Sequence, residues 1–172
     1  MAIWITADTH FGHANIIKYC NRPFSSVGEM DEALILNWNR VVAPNDTIYH
    51  LGDFSLTKSV DEYVDRLNGK ILLVPGSHDY WLKKMDLNKF KEELEILPQL
   101  YSTKILGKRI VMCHYPMASW EASFYGSIHC HGHSHGKIPQ TPNRFDVGVD
   151  CNNFYPFNLE RLVVFNALIR HI

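Results

Sequence analysis

No two cysteines stand close together in this 172-residue chain: Cys20, Cys113, Cys130 and Cys151 are widely spaced and no C-x-x-C occurs. With 46% hydrophobic residues, such a chain needs no disulfide framework, and a cytoplasmic setting is expected. Net charge is also nearly absent, −1 with histidine neutral, so no bulk field draws the chain to nucleic acid or to a membrane surface. No apolar run approaches the roughly 20 residues of a membrane helix. The opening MAIWITADTH has no basic n-region, so a signal peptide is not expected either. Repeats, low-complexity tracts and Gly/Ser/Pro-rich linkers are missing too, which points to a single domain over residues 1–172 with no obligate protein partner.

What the chain does have is histidine. It carries ten, and His129, His131, His133 and His135 fall within seven residues. The hydropathy pattern shows where they sit. Strands are expected at Ala2–Ala7, Asp46–Leu51 and Lys70–Val74, a hairpin at Leu100–Leu106 and Arg109–His114 around Gly107-Lys108, and later strands at Ser127–Cys130 and Phe145–Val149. A short helix is expected at Asn15–Cys20. A longer one opens on the capping box Ser26-Val27-Gly28-Glu29 and runs to about Val42. A third is expected from the cap Ser59-x-x-Glu62 to Gly69, and a last from Asn158 to about Arg170. The order β-α-β-α-β-α and then mostly β gives an α/β chain, with parallel strands first and antiparallel strands added later.

In such sheets the working loops lie at the carboxyl ends of strands. Here the strand ends read Asp8-Thr9-His10, Gly52-Asp53, Gly76-Ser77-His78-Asp79, His114 and Gly132-His133-Ser134-His135. Neutral imidazoles and carboxylates suit a divalent transition metal. Two-residue spacing lets both members of a pair face one ion, and glycines beside them allow close approach. No cysteine sits in these stretches, so a thiolate-bound structural zinc is not expected.

The series D-x-H, G-D, G-N-H-[DE], lone His, G-H-x-H of the calcineurin-like metallophosphoesterases resembles what this chain carries from Asp8 to His135. The stretches Asp8–Ile17, Arg22-Pro23-Phe24, His114-Tyr115-Pro116 and Val147-Gly148-Val149-Asp150 are similar to a subgroup of small bacterial and phage phosphoesterases. The resemblance implies a four-layer sandwich of two mixed β-sheets flanked by helices. It implies two divalent ions, with manganese favoured over iron, zinc or nickel. Asp8, His10, Asp53 and His135 would hold one ion, with Asp53 bridging to a second completed by Ser77, His114 and His133. His78 would act on the phosphoryl group and Asp79 would orient His78. The implied reaction is hydrolysis of a phosphodiester or phosphomonoester by a metal-bridged hydroxide, on a small and preferably nucleotide-type substrate. One position departs from the pattern: the family's Asn is Ser77 here, a poorer ligand, which implies a weaker second site.

Other readings compete. A metal-binding or protein-interaction module on the same fold, catalytically weak, is favoured by Ser77 alone. A metallo-β-lactamase-like use of His131-x-His133-x-His135 leaves Asp8-x-His10 unexplained. His13 and Arg22 are candidate substrate contacts, Arg22 as a fork to phosphate. His13 and His131 are equally open to structural roles, whereas His50 and His129 read as structural. Tyr115 and Trp120, in the loop after His114, are placed to stack on a ring, although loop aromatics more often pack.

Overall fold

Strand β1 (Ile3–Thr6) sends Trp4 to one face and Ile5 to the other, and the same alternation repeats in the strands beside it. A computed structural model describes residues 1–57, 59–84, 86, 90 and 92–169. In it, β1 pairs in parallel with β2 (Thr47–His50), and β2 with β3 (Lys70–Leu73). The edge strand β4 (Leu94–Ile96) continues the parallel run, and β9 (Phe157–Asn158) closes the other side antiparallel to β1. The first sheet therefore has the order β4-β3-β2-β1-β9. A second sheet, β5-β6-β7-β8, is built from Leu100–Ile105, Lys108–Cys113, Ile128–His131 and Arg144–Asp146.

Helices α1 (Ala14–Tyr19) and α2 (Val27–Val41) cover the outer face of the first sheet. Met30, Leu34, Ile35 and Trp38 of α2 pack with Ile48, Ile71 and Leu73 in one buried cluster. Ser26 caps α2 as its sequence announces, its hydroxyl accepting from Glu29 N–H at 3.1 Å, while the Glu29 carboxylate reaches back to the Ser25 N–H at 2.8 Å. A second cluster lies between the sheets: Ile5, Tyr49, Leu51 and Val74 meet Ile110, Met112, Ile128 and Cys130, with Leu159, Leu162 and Val163 of α4 (Leu159–Ile169) added at one side. The expected sandwich of two mixed sheets with helices is the observed architecture.

Three expectations need correcting. The third helix, α3, is only Asp61–Val64, and its N-cap is Val60, not Ser59. The later strands are not an antiparallel set: β5 and β6 form an antiparallel hairpin, but β6, β7 and β8 run parallel. The hairpin turns on Leu106-Gly107, both at positive φ (49° and 76°), one residue before the expected centre. Arg170, the expected end of α4, lies outside the described residues.

Register decides where the site falls. Thr6, His50 and Leu73 are neighbours across β1, β2 and β3, so those chains leave the first sheet at one level. His131 and Asp146 are likewise paired at the ends of β7 and β8. A parallel bridge between Ala7 and Gly148 joins the two rims.

Candidate metal centre

At that shared rim the backbone turns sharply. Asp8 (φ 58°), His10 (53°), Asp53 (54°), His133 (68°) and His135 (48°) all adopt left-handed conformations. Few non-glycine residues do so, and those that do cluster at functional sites, held there by their surroundings. The restraints here are visible. Asp8 N–H donates to Gly52 O and His10 N–H to Asp53 O, both at 3.0 Å, and Gly132 N–H donates to His114 O at 3.0 Å. Across the sheets, His133 N–H donates to Asp8 Oδ2 at 2.9 Å. A Cβ at Gly52 would lie 2.4 Å from Gly76 N, and one at Gly132 would lie 2.7 Å from Asp8 Oδ2, so only glycine lets these loops close on the carboxylates.

Among the described residues three groups of possible ligand atoms result, one of them Cys20, His135 and Asp150 beside the two that follow. Asp8, His10 and His135 present atoms all within 4.8 Å of one another, and so do Asp53, His114 and His133. Asp53 stands between them, its Oδ2 lying 3.7 Å from His10 Nε2 and 3.4 Å from His114 Nε2. Ser77 Oγ donates to the same carboxylate at 3.1 Å. Both ring nitrogens of His10 and Nε2 of His114 are buried without a hydrogen-bond partner. Native interiors seldom leave such groups unpaired, because each costs about 1–3 kcal/mol. A neutral imidazole carries one N–H and one lone pair, and a cation against the lone pair removes that nitrogen's cost, so the donor set fits divalent metal.

The electrostatics agree with that fit. Burial pushes the Asp8 carboxyl up to about 7, although His135, His114 and the His133 N–H act against the rise. Asp53 is also buried, but His114, the His78 N–H and His10 hold it well below the usual carboxylate range. Burial holds His10 far below the usual imidazole value, and so neutral, the form that ligates metal. His133 is lowered by burial as well. His114 and His135 are the exceptions: burial lowers both, but Asp53 and Asp8 raise His114, and the hydrogen bond to Asp150, together with Cys20 and Asp8, raises His135 to about 10.

Among the expected catalytic and substrate residues, His78 stands at the mouth, 44% exposed, with Nε2 4.0 Å from Asp53 Oδ2. Its backbone N–H donates to Asp53 Oδ1 at 2.7 Å. Asp79 does not orient the His78 ring. Its carboxylate accepts from the N–H groups of Asp53, Phe54 and Gly76 and from the Trp81 indole, at 2.8–3.0 Å, which fastens the Asp53 loop to the Gly76 loop. His13 is half-buried, its ring 5.4 Å from that of His10 and its Nδ1 unpartnered.

Arg22 is placed differently from expectation. Its side chain is fully buried and every N–H has an acceptor: Asp150 takes two at 2.8–2.9 Å, the carbonyls of Asp8 and Thr9 take one each, and Met30 sulfur the last. No donor is left for a substrate phosphate. Asp150 in turn accepts from His135 Nδ1 at 2.7 Å. Asp150 was absent from the sequence-based ligand set, and its one signal was its place at the end of the Val147–Asp150 stretch.

Three further histidines, His50, His129 and His131, are buried and taken up by hydrogen bonds within the protein. His50 lies between Thr9 Oγ1 (3.0 Å) and Gly52 N–H (3.2 Å), and His129 between Val111 O and Met117 N–H. His131, buried, bonds Gly132 O and lies against His129, which removes it from any triad with His133 and His135. Trp120 is packed on His129 with its N–H on Ser127 Oγ.

Comparison with known proteins gives a consistent picture. Residues 1–145 match the calcineurin-like phosphoesterase superfamily domain. The uncharacterized protein MJ1445 of Methanocaldococcus jannaschii is 37% identical, covering 94% of this chain and 89% of its own length. The gene 66 protein of Mycobacterium phage L5 is 25% identical, covering 86% of each. Among solved structures, the protein of unknown function AQ665 from Aquifex aeolicus superposes with a TM-score of 0.71 at 24% identity, over 95% of this chain and 98% of that one, which supports the fold.

Proposed function

Because the chain belongs to the calcineurin-like phosphoesterase superfamily, we propose that it is a metal-dependent hydrolase of a small phosphodiester or phosphomonoester, with a nucleotide-type substrate favoured. The observation that carries this reading is the pair of ligand groups at one rim, with buried imidazole nitrogens that have no hydrogen-bond partner among the described residues. Asp8, His10 and His135 would hold one ion, and His114, His133 and Ser77 a second, with Asp53 shared. Manganese suits this mixed oxygen and nitrogen set first, then iron, zinc or nickel. Bound divalent ions supply positive charge against the phosphoryl oxygens and acidify water at neutral pH.

The chain's own residues do the rest. His78, half-exposed beside Asp53, is placed to hydrogen-bond a phosphoryl oxygen or to deliver a proton to the leaving oxygen. His13 borders the same space and would contact substrate. Asp79 keeps Asp53 and His78 in register by tying their loops together, and Arg22 with Asp150 does the same for Asp8 and His135. A net charge of −1 and a fully committed Arg22 leave recognition of the phosphate to the ions and imidazoles, which suits a small ester better than a polyanion. The four cysteines are free, in keeping with a cytoplasmic setting. A weak metal-binding module is the second reading, supported by the hydroxyl of Ser77 where an amide would ligate better.

The test is Mn²⁺-dependent hydrolysis of a chromogenic phosphodiester by this chain and by Ser77→Asn. Turnover is expected from both and faster from the variant, with a loss of about 10²–10⁴-fold in His78→Ala. No turnover of any mono- or diester by metal-loaded protein would sink the hydrolase reading and bring the binding module forward.

A further inference from the structure

We infer that Tyr19, Tyr80 and Tyr115 form an aromatic rim around the metal centre that receives the base of a nucleotide substrate. The inference rests on the phosphoesterase reading and deepens it.

The three residues come from different parts of the chain. Tyr19 ends α1, Tyr80 opens the single-turn 3-10 helix Tyr80–Lys83 after the β3 loop, and Tyr115 directly follows His114. Each nevertheless lies beside a histidine of the site. Tyr19 is 6.2 Å from His13, Tyr80 is 6.3 Å from His78, and Tyr115 is 4.9 Å from His133, measured between ring centroids. The rings are inclined to those imidazoles by 65–81°. The histidine pairs His13–His78 (6.4 Å) and His114–His133 (5.1 Å) meet at Asp53, whose Oδ2 lies 4.0 Å from His78 Nε2 and 3.4 Å from His114 Nε2, so the tyrosines stand around one centre.

Their exposure is the second observation. Tyr19 is 64%, Tyr80 65% and Tyr115 47% exposed. A lone exposed tyrosine needs no explanation. Three placed around one metal centre, each beside one of its histidines, offer ring surface to a ligand held there. A flat base gains stacking there that an aliphatic substituent cannot, and a tyrosine face accepts any base. Trp120, the other aromatic of the loop after His114, is committed to His129 and Ser127 and takes no part.

The experiment compares adenosine 5′-monophosphate with ribose 5-phosphate, which differ only in the base, as ligands of the Mn²⁺-loaded protein by titration calorimetry. The wild type is expected to bind the nucleotide at least about tenfold more tightly, the scale of one stacked ring. That advantage shrinks in one or more of Tyr19→Leu, Tyr80→Leu and Tyr115→Leu and survives in the matching phenylalanine variants. Thermal unfolding of each variant at the wild-type temperature verifies that the fold is intact. Equal binding of the two ligands, or an advantage untouched by all three leucine variants, would overturn the rim and leave the phosphoesterase reading standing. Binding of neither ligand would overturn both.

Discussion

At the scale of single residues, the centre depends on groups that touch no substrate. Asp150 accepts from His135 Nδ1 at 2.7 Å and is itself gripped by Arg22, whose other donors hold the carbonyls of Asp8 and Thr9. One buried guanidinium thus sets the orientation of two ligands. A carboxylate behind a ligating histidine fixes its tautomer and raises its basicity, and losing it costs about 10–100-fold in metal affinity. Asp150→Asn is therefore expected to weaken Mn²⁺ binding by that factor, measured by equilibrium dialysis. An unchanged affinity would show that Asp150 does not support His135. The candidate ligands themselves stand out in the sequence because each falls within a few residues of a strand end. Arg22 does not, since its partner stands 128 positions away and only the fold brings them together.

At the scale of elements, strands β1, β2 and β3 and helix α2 could be read because their apolar spacing and cap are local signals. The edge strand β4 could not: three residues, Leu94-Glu95-Ile96, carry too little pattern. The parallel pairing of β6 with β7 was also hidden, because the connection between them has no helical period to mark a crossover. Asp46 shows what joins the first two strands. Its carboxylate accepts from Ala2 N–H at 2.7 Å and from Trp4 Nε1 and Ala43 N–H at 3.0 Å, so the starts of β1 and β2 share one anchor. Those N–H groups, Ala2 first, lower its carboxyl below the ordinary 3.8. A carboxyl lowered on folding contributes stability fully above its unfolded value and loses it as pH falls through the folded one. Asp46→Asn should thus be about 1–3 kcal/mol less stable by urea unfolding at pH 7. The gap should narrow at pH 3, and a gap that stays constant with pH would assign the loss to something other than the charge.

At the scale of the whole molecule, two sheets present their strand ends at one rim, and the residues there are poorly satisfied by protein alone. Burial drives Asp8 up to about 7, and His10 keeps both ring nitrogens unpartnered. Metal should therefore stabilise the entire fold. At about 100 times the dissociation constant, binding adds about 2.7 kcal/mol per site. For a chain of this size each kcal/mol moves Tm by about 2–4 °C. Mn²⁺ should accordingly raise Tm by about 5 °C or more, and a chelator should reverse the rise. A Tm indifferent to both would contradict a metal centre at this rim. The measurement that meets the central claim most directly is the metal content of the protein after loading with Mn²⁺ and dialysis, for the wild type beside Asp53→Asn. About two ions per chain in the wild type, reduced when the shared carboxylate is neutralised, is the expected result. Metal content that is negligible in both proteins, or equal in both, would contradict a centre built around Asp53.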